Sequence, residues 1–290
     1  MIPQIGIEST PSDILTYVMV KRLYQATSQP AREAIVSLLD IKGVPSGGTL
    51  ATILGLFGTY TPGQIMAAAR PEAISILPVA KPSSASPRSF LGVKSVPDVG
   101  TVTASIQASA DEPIVHRSWG LFRSSREQFS GISEAYGPQF NFYCQMNARN
   151  IFMGILTNLV LAIAPLFLLI PPVRWLLGQV VSQPGQGSSD EDARSHYIEY
   201  RGVAVTDAGH GKPKVAGRWR SEGNHYLMTA IFMVEGAATL LYDGGNIPAE
   251  RMSGGFLTPA TLGDSFVERL RSSGVVIETD VVVRSHLFRS

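Results

Sequence analysis

The amino-acid sequence predicts a mixed α/β fold, and three observations carry this prediction. Residues 198–206 and 214–219 alternate between apolar and polar side chains around the turn-like segment 207–211, which predicts a β-hairpin. Residues 226–242 predict a long helix. Strand-like and helix-like segments nevertheless fail to alternate regularly, so a complete doubly wound parallel sheet is not expected.

The N-terminal part predicts a strand, a loop and a helix. Residues 5–7 form a short apolar run that is typical of a strand, and the polar segment 8–13 follows it. Residues 14–23 then place their apolar side chains on one helical face. We expect Ser12 or Asp13 to cap this helix, since both side chains can accept a hydrogen bond from a free backbone N–H group.

The rest of the chain continues the mixed pattern. The further predicted elements are strands at 35–44, 102–107, 114–121 and 275–283, helices at 49–57, 62–75 and 262–272, and loops at 78–97 and 182–192.

Composition excludes one class of partner and indicates a compartment. The 290 residues carry a formal net charge of +1, so no basic field is present to attract nucleic acid. Cys144 is the single cysteine, which rules out a disulfide within the chain and favours a reducing, intracellular location. Its apolar neighbours predict a buried, inert thiol.

Residues 151–172 carry no charge and are long enough to span a membrane. Pro165 and the pair Pro171-Pro172 interrupt the segment, while Arg149, Arg174 and Trp175 flank it in the manner of a membrane interface. Three interpretations stay open: a membrane-spanning helix, a peripheral membrane contact, and a helix that is buried inside the protein or docked under a partner.

Recognisable catalytic motifs are missing from the sequence. No Gly-x-Gly-x-x-Gly turn is present to approach a dinucleotide pyrophosphate, and the five histidines lack the spacing of a metal site. What remains are three short polar segments at the ends of predicted strands: 6–13, 43–49 and 223–226. Each can serve turns and helix caps only, or can bind a ligand beyond the carboxyl ends of the strands.

The same segments carry a resemblance to a known family. The stretch Gly6-Ile7-Glu8-Ser9-Thr10-Pro11-Ser12-Asp13 and the turn Ser46-Gly47-Gly48-Thr49 resemble motifs of saccharopine dehydrogenase-like oxidoreductases of the trans-acting enoyl reductase type. Further segments that fall in the expected order are Arg117-Ser118-Trp119-Gly120, Gln183-Pro184-Gly185-Gln186-Gly187 and Gly254-Gly255-Phe256-Leu257-Thr258-Pro259. The sequence departs from the family pattern at Glu8, where Asp is usual, and at 223–226, where Asp-Pro-Gly-Tyr is usual.

The resemblance implies a division of the chain. Residues 1–30 would be the last part of a dinucleotide-binding Rossmann domain whose glycine fingerprint lies before Met1. Residues 31–221 would form a mixed-sheet substrate and dimerisation domain with a long apolar helix at 151–177. Residues 222–290 would add helices and a strand that pack back on the first part.

It also implies an activity and a set of site residues. The expected reaction is NADPH-dependent reduction of an α,β-unsaturated acyl chain in polyketide or lipid biosynthesis, with the acyl group carried by a partner synthase. The candidate residues are Ser12, Thr49 and Tyr226 as catalytic hydroxyls, Glu8, Ser9 and Asp13 for the cofactor, and Ser46, Gly47 and Gly48 for the substrate. A homodimer is a further expectation, and a metal is not expected.

Two alternatives remain. A shortened, non-catalytic homologue that binds an acyl chain, a membrane or a partner synthase would also lack the glycine fingerprint. Amino-acid chemistry on a saccharopine-like dicarboxylate would need several converging cations, and the motif regions offer only Lys42 and Arg117.

Overall fold

The computed structural model describes residues 1–43, 47–80, 89–180, 190–207, 213–245, 247–252 and 254–282. The strands are β1 (Ala31–Lys42), β2 (Lys94–Val96), β3 (Gly100–Ala104), β4 (Tyr136–Asn147), β5 (Tyr197–Thr206), β6 (Lys214–Glu222) and β7 (Val276–Val282). The helices are α1 (Thr10–Thr27), α2 (Gly47–Thr59), α3 (Pro62–Ala68), α4 (Ala108–Ser124), α5 (Ser130–Ala135), α6 (Ile151–Leu168), α7 (Pro171–Val180), α8 (Asp190–Ala193), α9 (His225–Tyr242), α10 (Pro248–Arg251) and α11 (Gly263–Ser272). A 3₁₀ helix (Pro259–Leu262) precedes α11.

All of these strands belong to one mixed sheet in the order β2-β3-β4-β1-β5-β6-β7. β1 pairs with β4 in parallel and with β5 antiparallel, and the remaining pairs are antiparallel. The mixed α/β prediction is therefore confirmed at the level of fold class. That residues 1–30 end a Rossmann domain, and the three-part division of the chain, stay predictions.

β1 lies near the middle of the sheet because both of its faces are apolar. Ala34, Val36 and Leu38 face the main core, while Ile35 belongs to a smaller core on the opposite face. Near-continuous burial of this kind is typical of a strand that is covered on both sides.

α1 packs on the main-core face of the sheet and extends beyond its predicted range. Its side chains Ile14, Leu15 and Met19 have no solvent-exposed surface. Ser12 and Asp13 lie inside the first turns rather than at the cap, which is Ser9, so the predicted capping residues were wrong. Residues 6 and 7 form a bend and a turn rather than the predicted strand, and no described strand pairs with residues 5–7.

α4 replaces the strand that was predicted at 114–121. Its buried side chains recur three and four residues apart, which is the spacing of one helical face rather than of a strand. They include Asp111, Ile114, Val115, Ser118, Trp119 and Phe122.

The hairpin of β5 and β6, the long helix α9 and the closing strand β7 confirm their predictions. The helix predicted at 62–75 is shorter than expected and ends at Ala68. The loop predicted at 78–97 contains β2, and residues 81–88 lie outside the described part of the chain. Most of the loop predicted at 182–192 also lies outside it, apart from α8.

Candidate functional site

The polar segment 6–13 leads into the first turn of α1 and is tied to α4 by Asp111. Ser9 Oγ donates a hydrogen bond to Asp111 Oδ1 at 2.9 Å, and Ser12 Oγ donates to Asp111 Oδ2 at 2.5 Å. Cys144 Sγ lies 3.4 Å from the same Oδ2 atom. All four side chains are fully buried. The two serine hydroxyls therefore hold α1 against α4, and the thiol of Cys144 holds β4 against α4.

Asp13, the residue after Ser12 in α1, makes a second set of buried hydrogen bonds. Its Oδ1 accepts a hydrogen bond from Ser118 Oγ at 2.6 Å, and its Oδ2 accepts from the backbone N–H of Ala260 at 2.8 Å. Ser118 Oγ also lies 2.6 Å from Thr258 Oγ1. Asp13 therefore joins α1, α4 and the start of the 3₁₀ helix.

Burial makes these carboxyls easier to protonate. Loss of hydration raises the pKa of Asp13 and that of Asp111 to about 7, although the hydroxyl and amide donors around them act in the opposite direction. Burial likewise raises the pKa of Glu112 to about 7 and raises the pKa of Cys144 well above its usual value. The buried thiol predicted for Cys144 is confirmed, and it is poorly suited to act as a nucleophile.

The other two polar segments meet at Gly43. A Cβ atom at this glycine would lie 2.6 Å from His225 Cε1 and 3.1 Å from His196 Nδ1, and its φ of +142° also favours glycine. The rings of His196 and His225 are 5.6 Å apart between centroids. Burial, and then the neighbouring His196, lower the pKa of His225, so its ring is neutral at pH 7.

The first segment reaches the same helix one turn later. The backbone N–H of Ile7 donates to Thr229 Oγ1 at 3.2 Å, and a Cβ atom at Gly6 would lie 3.1 Å from Thr229 Cγ2. The segments around Gly6, Gly43 and Gly223 thus all lie against the first two turns of α9.

An open cleft of about 520 Å³ lies at this end of α9. The cleft is lined by Ala193, Arg194, Gly223, Asn224, Tyr226 and Leu227. Asn224 Oδ1 accepts a hydrogen bond from the backbone N–H of Tyr226 at 2.8 Å and so caps the helix. The side chain of Tyr226 is 56% exposed, which makes its hydroxyl available to a ligand in the cleft.

The predicted site residues differ in how accessible they are. Tyr226 and Glu8 are exposed, and Thr49 is exposed in the first turn of α2. Gly47 is buried and Gly48 half-buried in that turn, while Ser46 lies outside the described residues.

Ser9, Ser12 and Asp13 have their side chains committed to partners inside the core. The roles assigned to the whole set in catalysis and binding stay predictions.

Sequence reasoning missed the partners of these residues. Asp111 and Ser118 could not be placed opposite α1 while residues 114–121 were interpreted as a strand. The proximity of His196 and His225 depends on the observed register of the hairpin, in which Tyr197 pairs with Glu222, and the predicted hairpin carried no register.

The segment 6–13 does not fit the pyrophosphate of a dinucleotide. Such a group needs accessible N–H groups at a helix N-terminus, and here the first turn of α1 is buried against Asp111. Within the part of the chain that the structure describes, no group of three His, Cys, Asp or Glu side chains is arranged to hold a metal ion. The two motif cations do not converge on a dicarboxylate site either, since Arg117 donates to the carbonyl oxygens of Phe256 and Ile74.

The sequence of this chain is similar to those of two known proteins. No family model matches the chain. Two proteins from two strains of Mycobacterium tuberculosis, which carry the provisional name of trans-acting enoyl reductase, are each 26% identical to it over 292 residues. The alignment covers 94% of this chain and 65% of each relative, so the chain spans about two thirds of their length. The chain is thus similar, over almost all of its own length, to proteins named for enoyl reduction.

Proposed function

We propose that this chain provides the acyl-binding side of an oxidoreductase of the trans-acting enoyl reductase type. The observation that carries the proposal is the open cleft at the start of α9, which Tyr226 lines. Gly6 and Gly43, from the other two polar segments, lie against Thr229 and His225 of the same helix. The similarity to proteins named for this reaction supports it. The substrate would be an α,β-unsaturated acyl thioester from polyketide or lipid biosynthesis, held on the carrier of a partner synthase.

The reaction requires three things of its catalyst. A hydride must reach the β-carbon, a proton must reach the α-carbon, and the thioester carbonyl must be polarised so that the double bond accepts the hydride. The exposed hydroxyls of Tyr226 and Thr49 are suited to the last two tasks. Ser12 already donates to Asp111, and we assign it the positioning of α1 against α4.

NADPH is the hydride donor that the family resemblance implies. Because the buried first turn of α1 does not fit its pyrophosphate, the proposal assigns no cofactor contact to Ser9 or Asp13. Glu8 is exposed and stays a candidate contact. The proposed setting is intracellular, and the proposed assembly is a homodimer.

A turnover assay tests this function. The purified chain is incubated with NADPH and trans-2-decenoyl-pantetheine, and the thioester is analysed by mass spectrometry. We expect the saturated thioester as product, and we expect Tyr226→Phe to reduce the rate by roughly 100-fold, the loss typical of a removed acid catalyst. Tyr60→Phe is the matched control, since Tyr60 is 51% exposed and is not among the residues that line the cleft. Equal rates for the two variants would remove Tyr226 from the mechanism.

A non-catalytic role is the second candidate. It is favoured by the internal use of Ser9, Ser12 and Asp13, which leaves the predicted cofactor segment without an accessible side chain beyond Glu8. In that case the chain would bind the thioester without reducing it. Titration with NADPH separates the two functions, because binding at micromolar concentration would exclude the non-catalytic one.

A further inference from the structure

Two uncharged stretches of the sequence lie together in the fold. Residues 43–69 and 150–173 contain no Asp, Glu, Lys or Arg. They supply α2, α3, α6 and the beginning of α7. We call α2, α6 and α7 the apolar helix cluster.

The sheet explains why the cluster projects from the protein. α2 follows β1 and α6 follows β4, and these two strands are parallel neighbours, so both helices leave the same edge of the sheet. At the ends far from the sheet, Arg174 of α7 contacts both α6 and α2. Its Nη1 atom donates to the carbonyl oxygen of Leu168 at 2.7 Å, and a Cβ atom at Gly58 would lie 3.9 Å from its Nε.

Most of the apolar surface of the cluster is open to solvent. α6 has a mean hydropathy of 2.3, and only 6% of it is buried inside the protein. Phe152 is 74% exposed, Leu166 is 61% exposed and Trp175 is 67% exposed. The interpretation of 151–172 as a helix buried within the protein is therefore wrong. A helix that is apolar on all sides and that no described residue covers needs an apolar environment from outside the described part of the chain.

The polar groups of α6 indicate that this environment is hydrocarbon. Thr157 Oγ1 donates to the carbonyl oxygen of Met153 at 2.9 Å. Asn158 Oδ1 accepts from Thr103 Oγ1 at 2.7 Å, and its Nδ2 donates to the carbonyl oxygen of Leu91 at 2.9 Å. Both polar side chains within the helix are thus satisfied inside the protein, as lipid requires, whereas a protein partner would be met by a rim of available polar groups.

The charged and aromatic residues beside α6 and in α7 suit the boundary of a lipid layer. Arg149 precedes α6, and Arg174 and Trp175 lie in α7. Cations and tryptophan are enriched at the headgroup level of membranes, and no acidic residue is present between Arg149 and Trp175 to oppose an anionic lipid.

The topology decides how the cluster meets the lipid. α6 lies between β4 and β5 in the chain, and both strands pair with β1 in one sheet. A single crossing by α6 would place β4 and β5 on opposite sides of the membrane, which one sheet does not allow. We propose that the apolar helix cluster docks this protein on one leaflet of a phospholipid membrane without crossing it.

Vesicle flotation of the full chain tests the docking. We expect the protein to float with phosphatidylcholine vesicles, and in a larger fraction when phosphatidylglycerol is included, because Arg149 and Arg174 flank the surface. Leu166→Glu combined with Phe167→Glu should reduce the floated fraction at least several-fold. Leu241→Glu, at a 72% exposed position near the end of α9, is the control and should float like the unchanged protein. A folded chain that stays in the soluble fraction with both vesicle types would overturn the proposal.

Tryptophan emission locates the contact. Trp119 and Trp219 are 2% and 0% exposed, so Trp175 is the tryptophan that lipid can reach. Vesicles of brominated lipid should quench the emission of the unchanged chain. Trp175→Phe should still float and should lose this quenching. If vesicles leave the emission unchanged while light scattering shows a dimer that the double Glu variant abolishes, a second copy covers the cluster and the proposal is wrong.

Discussion

Gly202 of β5 and Gly217 of β6 lie directly opposite each other in the sheet, and Met19 of α1 packs on both. A Cβ atom at Gly202 would come within 2.7 Å of Met19 Cε, and one at Gly217 within 2.7 Å of Met19 Sδ. Because neither glycine has a side chain, α1 can approach the sheet closely. That approach places Ser9, Ser12 and Asp13 where α4 can bond to them.

Replacing either glycine tests this close approach. We expect Gly202→Ala and Gly217→Ala each to lower the free energy of unfolding by about 1–3 kcal/mol, because the added methyl group overpacks the contact with Met19. Urea denaturation measures the change. Gly131→Ala is the control, since a Cβ atom there meets no neighbour within 4 Å. If Gly202→Ala lowers the free energy of unfolding no more than Gly131→Ala does, α1 can move away from the sheet at little cost.

The buried carboxyl of Asp13 should be important for stability. Asp13→Ala leaves the buried N–H of Ala260 without its acceptor and removes the charged partner of the Ser118 hydroxyl, so we expect the free energy of unfolding to fall by about 2–4 kcal/mol. Glu268→Ala is the comparison, because it removes an exposed ion pair with Arg271 that is worth less than about 1 kcal/mol. Similar losses for the two variants, measured by chemical denaturation, would contradict the structural role of Asp13.

The pKa values of the buried groups predict a stability that depends on pH. Asp13, Asp111 and Glu112 have folded-state pKa values of about 7, above the 3.8 or 4.5 of the unfolded chain. The folded state therefore holds more protons, and stability should fall as pH rises from about 5 to 7.5 and then level off. His116 acts in the opposite direction below pH 6.5, since burial lowers its pKa to about 4.

Asp111→Asn isolates one of these contributions. The amide keeps an acceptor for Ser12 but does not titrate, so the fall in stability between pH 5 and 7.5 should become shallower by at most about 1.4 kcal/mol per pH unit. Thermal denaturation at several pH values measures the slope. A variant slope as steep as that of the unchanged protein would mean that Asp111 does not take up a proton on folding.

The contact between Gly43 and His225 should control the cleft. Gly43→Ala places a methyl group 2.6 Å from His225 Cε1 and is expected to weaken the binding of trans-2-decenoyl-pantetheine about 10-fold or more, a cost of about 1.4 kcal/mol. Gly274→Ala is the control, because Gly274 also has a positive φ, a Cβ atom there meets nothing within 4 Å, and it does not line the cleft. Calorimetric titration compares the two. Equal affinities of the two variants for the thioester would show that Gly43 does not influence the binding site.

The elements that could be predicted from the sequence are those whose own residues carry a clear apolar and polar pattern. β5 and β6 alternate around a turn, and α9 is long and apolar, so each follows from its own residues. α4 was interpreted as a strand because the apolar run at 114–121 hid the spacing that continues through Asp111 and Phe122. Tertiary packing on β4, rather than the local run, determines that this segment is a helix.

The candidate site was predictable only in part, for the same reason. The segments 6–13, 43–49 and 223–226 were identified as polar breaks after apolar runs. Of the first two, Gly6, Ile7 and Gly43 lie against α9, which the third segment begins. That Ser12 bonds to Asp111 depends on how α1 and α4 cross, which residue spacing does not determine. The hydroxyl patterns of a binding loop and of a buried helix contact are alike in sequence.

The central claim is that an unsaturated acyl thioester occupies the cleft beside Tyr226. Photo-crosslinking with a decenoyl-pantetheine that carries a diazirine on its acyl chain, followed by peptide mapping, tests this most directly. The account predicts saturable labelling at the cleft residues Arg194, Tyr226 and Leu227. Saturable labelling elsewhere on the chain, with the cleft unlabelled, would contradict it.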